Sequence, residues 1–370
     1  MIHILTIHYG VNYGSALQTY ALFTFLSRND KTDVINYIPE RYHLWNHING
    51  PSYKNRGFLF KIIHFIVKAP INICQRRIFS SFISENVNIT EKIKNIKSIS
   101  SYLKDGDILV IGSDQVWNTD YNGYTDTTYL CGFNTYNVRK VSYAASIGKD
   151  FLSEEDKALF RKYLSSFAAI SLREATGKKI LSELGINCTV VLDPTFLLTR
   201  KEWEELSSKK YCDENYILIY VMDNEYEKLF EVASELSQRE GWHIYAVTFR
   251  KTGDKRANKE FINATPEEFL GLLSKSKYVI TNSFHGTAFS INMNKQFISI
   301  GKKSYNSRMR DLLNYTGIEG HYFNPKDSIE IDKISEINYS EVNARIDGLR
   351  KQSIAFINEN IVMDIRGGDK

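Results

Sequence analysis

Hydrophobic positions along this chain fall into short unbroken blocks, each followed by a knot of small and polar residues and then by a stretch of helical periodicity. Ile2–Ile7, Val34–Ile38, Asp107–Ile111, Val141–Gly148, Ile170–Glu174 and Val190–Thr195 make one series; Tyr216–Val221, His243–Val247 and Tyr278–Ile280 open a second. Continuous apolar runs rich in Ile, Val and Tyr suit strands buried on both faces, and strands alternating with helices predict a parallel sheet covered on both sides. A chain of 370 residues also exceeds what one core usually organises. The pattern predicts an α/β protein of two Rossmann-like domains facing a cleft, residues 1–196 and 197–335, hinged between Asp193 and Tyr216. Residues 336–370 follow, helically periodic from Tyr339 to Val362 and expected to pack back on the N-terminal domain.

The polar knots carry the candidate chemistry, because in such proteins the ligand crevice lies outside the carboxyl ends of the strands. After the first strand, His8–Ser15 holds Gly10, Asn12 and Gly14 and runs into a helical stretch from Ala16 to Ser27, with Gln18 one turn in. This is the form of a ligand-binding first βα unit without the full dinucleotide fingerprint, and a purely structural turn is the alternative. The run Gly112-Ser113-Asp114-Gln115-Val116-Trp117-Asn118 crowds a carboxylate, amides and a hydroxyl around a strand end, which is expensive to bury without partners. Between Tyr278 and Gly301 the order is strand, tight loop, short helix, strand. Thr281-Asn282-Ser283 offers capping side chains, so His285 stands where a helix start presents free N–H groups to an anion. A packed core histidine is the plainer reading of the same residue.

Hydrophobic content of 43% and charged content of 24% are those of a soluble globular protein, with Tyr 23 and Phe 21 making it unusually aromatic. A net charge of +4, without a basic-aromatic recognition motif, gives no case for nucleic acid. The distribution of charge says more. No acidic residue lies between Glu40 and Glu85, whereas Arg41, Lys54, Arg56, Lys61, Lys68, Arg76 and Arg77 all do. Phe58–Val67 has a broad apolar face, with Lys61, His64 and Lys68 at helical spacing. The interval, from Arg41 to Phe82, is either a solvated face or a peripheral contact with an anionic membrane. No apolar run reaches the roughly 18 residues of a membrane span, and the start of the chain reads as strand rather than signal peptide. Cys74, Cys131, Cys188 and Cys212 are far apart and show no metal-ligand spacing, so free thiols in a reducing cytoplasm and no metal are expected.

Taken together, Asn12-Tyr13-Gly14 with Gln18, the run Gly112–Asn118, Ser171-Leu172-Arg173-Glu174, Leu192-Asp193-Pro194-Thr195, and Ser283-Phe284-His285-Gly286 with Asn306-Ser307-Arg308 resemble the polysaccharide pyruvyl transferase family. The resemblance runs in order over most of the chain, and Gly112–Asn118 is its most specific part. It implies a GT-B-like fold and transfer of pyruvate from phosphoenolpyruvate onto sugar hydroxyls of a surface or capsular polysaccharide precursor, as a cyclic ketal. It implies no cofactor beyond that donor. The acceptor would be a lipid-linked oligosaccharide or polysaccharide, met in the cytoplasm or on the inner face of the plasma membrane. On this reading His285 and Asp114 are the catalytic candidates. Arg173, Ser283, Gly286, Lys303 and Arg308 are expected at the donor, and Asn12, Gln18, Ser113, Gln115 and Trp117 at the acceptor. One departure stands out: better-studied members look like Arg-x-His-Gly where this chain has Ser283-Phe284-His285-Gly286.

The donor carries a phosphate and a carboxylate, so it needs a bidentate cation and a helix N-terminus; Arg173 answers the first need, and Lys302, Lys303, Arg308 and Arg310 lie after the histidine loop. Each step of ketal formation moves a proton, work to which an imidazole is suited near neutral pH. Asp114 is either a base on the acceptor hydroxyl or a sugar-binding carboxylate. Two other classes answer to the same residues: a nucleotide-sugar glycosyltransferase of GT-B type, and a non-catalytic carbohydrate-binding protein of a polysaccharide assembly complex.

Overall fold

The apolar blocks become the strands of two sheets. In the computed structural model, which describes residues 1–42, 58–93, 95–122, 126–135, 137–210, 215–302 and 306–362, the first sheet has the order β2-β1-β3-β4-β5-β6. Its strands are β1 (Ile2–Leu5), β2 (Thr32–Val34), β3 (Ile108–Ile111), β4 (Arg139–Ala145), β5 (Ala169–Leu172) and β6 (Thr189–Val190). The second has the order β12-β11-β10-β7-β8-β9, from β7 (Tyr216–Tyr220), β8 (His243–Val247), β9 (Lys259–Phe261), β10 (Tyr278–Thr281), β11 (Gln296–Ile300) and β12 (Tyr322–Phe323). Every ladder is parallel. Each sheet reverses its winding once, between β1 and β3 in the first and between β7 and β10 in the second, and a crevice opens at such a reversal.

One strand is displaced from its expected place. Val34–Ile38 reads as the second strand, yet β2 ends at Val34. The backbone of Val34 turns to a later segment, its N–H donating to Asn88 O at 2.9 Å and its carbonyl accepting from Thr90 N at 2.9 Å.

Six helices position the site: α1 (Tyr13–Leu26), α2 (Phe58–Asn86), α3 (Ala175–Glu183), α4 (Phe284–Asn292), α5 (Ser307–Thr316) and α6 (Tyr339–Ile357). Helix α1 is apolar nearly all round, as a helix buried between layers must be. Its Tyr13 ring stacks on Phe269 of the second domain at 4.6 Å, and its hydroxyl donates to Ala264 O at 2.8 Å. From α2, Gln75 Nε2 donates to Phe249 O at 2.9 Å and Ile262 O at 2.8 Å, also in the second domain. Helix α6 starts on the second domain, with the Tyr339 hydroxyl donating to Ser290 O at 3.3 Å. It ends on the first, where Arg350 Nε donates to Phe196 O at 2.6 Å and Ser353 Oγ accepts from Leu192 N at 2.9 Å.

Of the basic interval, Lys54 and Arg56 lie outside the described residues, as do the side chains of Arg41, Lys61, His64 and Lys68. Arg76 donates to Tyr42 O at 3.1 Å. Among the described residues no helix is long and apolar enough to cross a membrane. Cys74, Cys131 and Cys188 are free thiols, and Cys212 lies outside the described residues.

Near the amino ends of the first sheet's strands, His3 is clamped between carboxylates, Nδ1 at 2.7 Å from Asp33 and Nε2 at 3.0 Å from Asp107. Burial works against its protonation, but Asp33 and Asp107 outweigh it and raise its pKa above 6.5. Stability from a raised pKa is complete below the unfolded value and is lost as pH climbs through the folded one. His3→Gln leaves Asp33 without a cation, and Asp107 with only the Met1 ammonium at 3.7 Å, and is expected to cost about 3–5 kcal/mol at pH below about 6. Denaturant melts over a pH series should show that cost shrinking as pH rises.

Candidate active site

The loops at the two winding reversals face each other. After β1, Asn12 adopts an extended conformation and caps α1, its Oδ1 accepting from Ser15 N at 3.3 Å. Gln18, expected at the acceptor, points inward instead. It is wholly buried, and its Nε2 donates to Thr6 Oγ1 at 3.2 Å, Ser15 O at 3.0 Å and Thr19 Oγ1 at 2.9 Å, closing the turn. Trp117 is likewise a core residue: its ring sits edge-on to Phe160 and Phe167 and its Nε1 donates to Tyr129 O at 2.9 Å. An indole in that position has no face left for a sugar. Gln115 stays at the rim, its Oε1 accepting from Asn118 Nδ2 at 2.8 Å.

Asp114 is held at φ +70°, a left-handed conformation that costs a non-glycine residue on the order of 1–3 kcal/mol. The surroundings enforce it: the Asp114 carbonyl accepts from Val116 N at 2.8 Å and Ser146 N at 3.0 Å. Its carboxylate accepts from Gln115 N at 2.8 Å and from the Ser15 hydroxyl at the start of α1. Burial would raise its pKa, but Arg173, His285, the Ser15 hydroxyl and Arg308 together hold it below the usual carboxylate range.

Arg173 follows β5 and joins the loops. Its NH1 donates to Asp193 Oδ2 at 2.7 Å and lies 3.4 Å from Ser113 Oγ, while NH2 lies 3.5 Å from Asp114 Oδ1. Its guanidinium rests on the ring of Phe284, 4.5 Å from the centroid, across the domain boundary. Asp193 in turn accepts from Ser113 Oγ at 3.0 Å, Thr195 N at 3.1 Å and Thr195 Oγ1 at 2.9 Å. Despite burial, His285, Arg173 and the Thr195 N–H keep the Asp193 carboxyl ionised far below its ordinary range. Ser113 is therefore an interior link, not a rim residue.

From the other side comes α4, capped by Ser283, whose Oγ accepts from Gly286 N at 3.4 Å. Gly286 is required by space, since a Cβ there would meet the Tyr220 ring at 2.8 Å. His285 projects from the first turn to bring Nε2 within 3.8 Å of Asp193 Oδ2, an ion-pair distance too long for a direct hydrogen bond. Its Nδ1 side lies against Gly14 of α1, where any Cβ would overlap the ring. Arg308, in the first turn of α5, is 5.9 Å from the same Phe284 centroid. Lys302 pairs with Asp223 at 2.6 Å, and Asn282 Nδ2 donates to that carboxylate at 3.0 Å. Lys303 lies outside the described residues.

The structure thus brings Asn12, Asp114, Gln115, Arg173, Ser283, His285, Gly286 and Arg308 to one cleft, with Ser113 as an interior link beneath it, and leaves Gln18 and Trp117 in the packing behind it. Among the described residues, Arg173 Nε, Glu174 Oε2, Tyr220 Oη, Asn282 Oδ1 and His285 Nε2 are buried here without a hydrogen bond, although Arg173 Nε lies 4.0 Å from Glu174 Oε2 and His285 Nε2 lies 3.8 Å from Asp193 Oδ2. Buried polar groups are nearly always paired, so this concentration of unbonded donors and acceptors marks the place where the two domains could hold a polar ligand. Between the starts of α1 and α4 the site offers an imidazole, carboxylates fixed in their charged form and a positive end of each helix, a setting for an anion beside a proton carrier. Ser15, Glu174 and Asp193 received no role from the sequence, and Gly14 only that of a loop glycine open to close approach. Asp193-Pro194-Thr195 at a strand end carried a legible capping signal; the Arg173 pairing did not, because it depends on which strands are neighbours.

Two six-stranded Rossmann-type domains about such a cleft constitute a GT-B-like fold. The S. aureus MnaA–UDP complex is similar with a TM-score of 0.51 at 12% identity, over 94% of this chain and 87% of that one. A UDP-N-acetylglucosamine 2-epimerase is similar with a TM-score of 0.51 at 10% identity, over 97% of this chain and 95% of that one. No curated protein matches the sequence. The chain belongs to the polysaccharide pyruvyl transferase family, whose model matches residues 12–304.

The contact between Gly14 and His285 is testable by a double-mutant cycle. Gly14→Ala alone should destabilise by about 1–3 kcal/mol through overpacking. In a His285→Ala background the same change should be neutral or stabilising by up to about 1 kcal/mol, since alanine is the better helix former. Urea melts of the four proteins give the coupling.

Proposed function

We propose that this protein transfers pyruvate from phosphoenolpyruvate to a pair of hydroxyls on a saccharide, forming a cyclic ketal. The observation that carries the reading is His285, an imidazole held between two helix starts with its Nε2 at 3.8 Å from an ionised Asp193, in a member of the polysaccharide pyruvyl transferase family. The acceptor is taken to be a lipid-linked or polymeric saccharide met at the inner face of the membrane.

In this scheme the starts of α1 and α4 receive the donor's anionic groups, with Arg308 at the cleft wall. His285 gives a proton to the donor methylene, which becomes the methyl group, while the first sugar hydroxyl bonds to the adjacent carbon and loses its proton. The bond to phosphate breaks, the second hydroxyl closes the ring, and its proton leaves with the phosphate. Asp193 holds the imidazole's orientation and stabilises its charged form. Arg173 takes a different part from the one expected: with Asp193 and Asp114 already on its guanidinium, it keeps those carboxylates ionised and in place.

A second reading has its own support. Ser283 stands where an arginine would hold phosphoenolpyruvate, Arg173 is occupied, and one of the similar folds was solved with UDP. A nucleotide-sugar enzyme would place a diphosphate at the start of α4. Calorimetric titration with phosphoenolpyruvate and with UDP separates the two readings: binding of UDP alone would replace the first with the second.

His285→Gln should lower phosphate release from phosphoenolpyruvate and a saccharide acceptor by about 10²-fold or more, with donor binding and melting temperature nearly unchanged. Turnover within a few-fold of the parent, in a folded variant, would return His285 to packing alone.

A further inference from the structure

The loop after β4 joins the cleft to a groove on the outside of the first domain. At its start, Ile147 N and Gly148 N donate to Glu174 Oε1 at 2.8 and 3.3 Å. Gly148, at φ +64°, backs onto the rim residue Gln115, whose amide oxygen a Cβ there would meet at 2.2 Å. Next, Lys149 Nζ ties the loop to Asp120 at 2.8 Å and to Asp156 at 3.3 Å. At its end Leu152 is buried and Ser153 closes a capping box on the helix Glu154–Leu164. Asp150 and Phe151 are left as a tip between two anchored ends. There Phe151 is 79% exposed, the most exposed large hydrophobic side chain among the described residues.

This tip walls a groove of about 470 Å³ whose floor is α3. Residues three and four apart on a helix share a face, and the floor follows that spacing. Thr176, Ile180 and Leu184 form one stripe, and Ala175, Lys179 and Glu183 form the next. Ala175 directly follows Glu174, so the groove begins at the cleft and runs away from it along α3. At that upper end Thr176 meets the second domain, donating to Asp311 of α5 at 3.2 Å through its N–H and at 3.3 Å through its hydroxyl.

The lining selects among occupants. A lipid chain or an apolar helix calls for a continuous apolar trough, but Asp150, Lys179 and Glu183 interrupt this one. Among the described residues no ion pair or side-chain hydrogen bond holds those three. A polyanion calls for positive charge, but Lys157 and Lys179 are matched by Asp150 and Glu183. A sugar ring suits both parts, with an apolar C–H face for an aromatic ring and hydroxyls at its edge for carboxylate and ammonium groups.

We propose that this groove is a saccharide subsite, in which Phe151 stacks on a sugar ring beyond the one held in the cleft, and Asp150, Lys179 and Glu183 meet its hydroxyls. The proposal deepens the pyruvyl-transfer reading and rests on it for what the sugar is. The acceptor is an oligomer or polymer, its reacting residue in the cleft and its neighbours along α3. Because the loop is anchored on both sides of the tip, binding has little ordering left to supply.

The test titrates short oligosaccharides of galactose, mannose or N-acetylglucosamine into carbon-13 methyl-labelled full-length protein. A bound oligosaccharide should move the Ile180 and Leu184 methyl signals saturably. Phe151→Ala should weaken that binding by about tenfold or more and Phe151→Trp should keep it, while phosphoenolpyruvate binding and melting temperature match the parent. In turnover the loss should appear in KM for the oligosaccharide rather than in kcat. Failure of every oligosaccharide to bind, or equal binding by the parent and Phe151→Ala, overturns the subsite. A dimer in sedimentation that Phe151→Ala dissolves overturns it too, since a second copy would then occupy the groove. An oligosaccharide held at Phe151 with no phosphate release from phosphoenolpyruvate removes pyruvyl transfer and leaves the subsite. Phosphate release whose KM ignores Phe151→Ala removes the subsite and leaves pyruvyl transfer.

Discussion

The buried pairing of Arg173 with Asp193 and Asp114 is the constraint on which the rest of the cleft depends. A guanidinium with a side chain 1% exposed would be prohibitively placed without partners, and with His285 it keeps both carboxylates ionised. Because the three residues follow different strands, the pairing locks the carboxyl ends of β3, β5 and β6 into one rigid edge. It also fixes the strained Asp114, whose +70° φ persists only because surrounding bonds determine it. Breaking the pair would do more than remove one ion contact: it would leave buried charge on both sides and release the loop that holds Ser113 and Asp114.

The second domain meets this edge through two ring contacts. Phe284 lies under the Arg173 guanidinium, and His285 lies against Gly14 and within ion-pair distance of Asp193. The imidazole therefore belongs to one domain and its electrostatic environment to the other. Helix α6 and the Tyr13 cluster hold the two domains together on the sides of this contact, so the site is assembled by packing that involves none of its own polar groups.

How much of this the sequence discloses depends on range. Most strands were legible because apolar blocks such as Ile108–Ile111 and Tyr216–Tyr220 can only be satisfied between two layers. The short edge strand β9, Lys259–Phe261, was not, since charged residues at a sheet edge give no such signal. His285 and Asp114 were legible as candidates from the small and polar residues around them. Gln18 and Trp117 were misplaced for one shared reason: a polar or amphipathic side chain near a strand end can satisfy itself on nearby backbone, and sequence does not say which way it turns. Asp193 and Glu174 acquire their meaning from neighbours in the sheet order, which no local pattern reveals.

The central claim is that the donor is received where His285, from the second domain, meets the carboxylates of the first. Nitrogen-15 NMR of the imidazoles addresses it directly, as the chain has eight histidines and the His285 signal is identified by its loss in His285→Gln. Titrating phosphoenolpyruvate into the parent should shift the His285 ring signals in proportion to occupancy, while those of His3, His243 and His321, away from the cleft, stay fixed. Saturable binding of the donor that leaves the His285 ring unmoved would contradict the account.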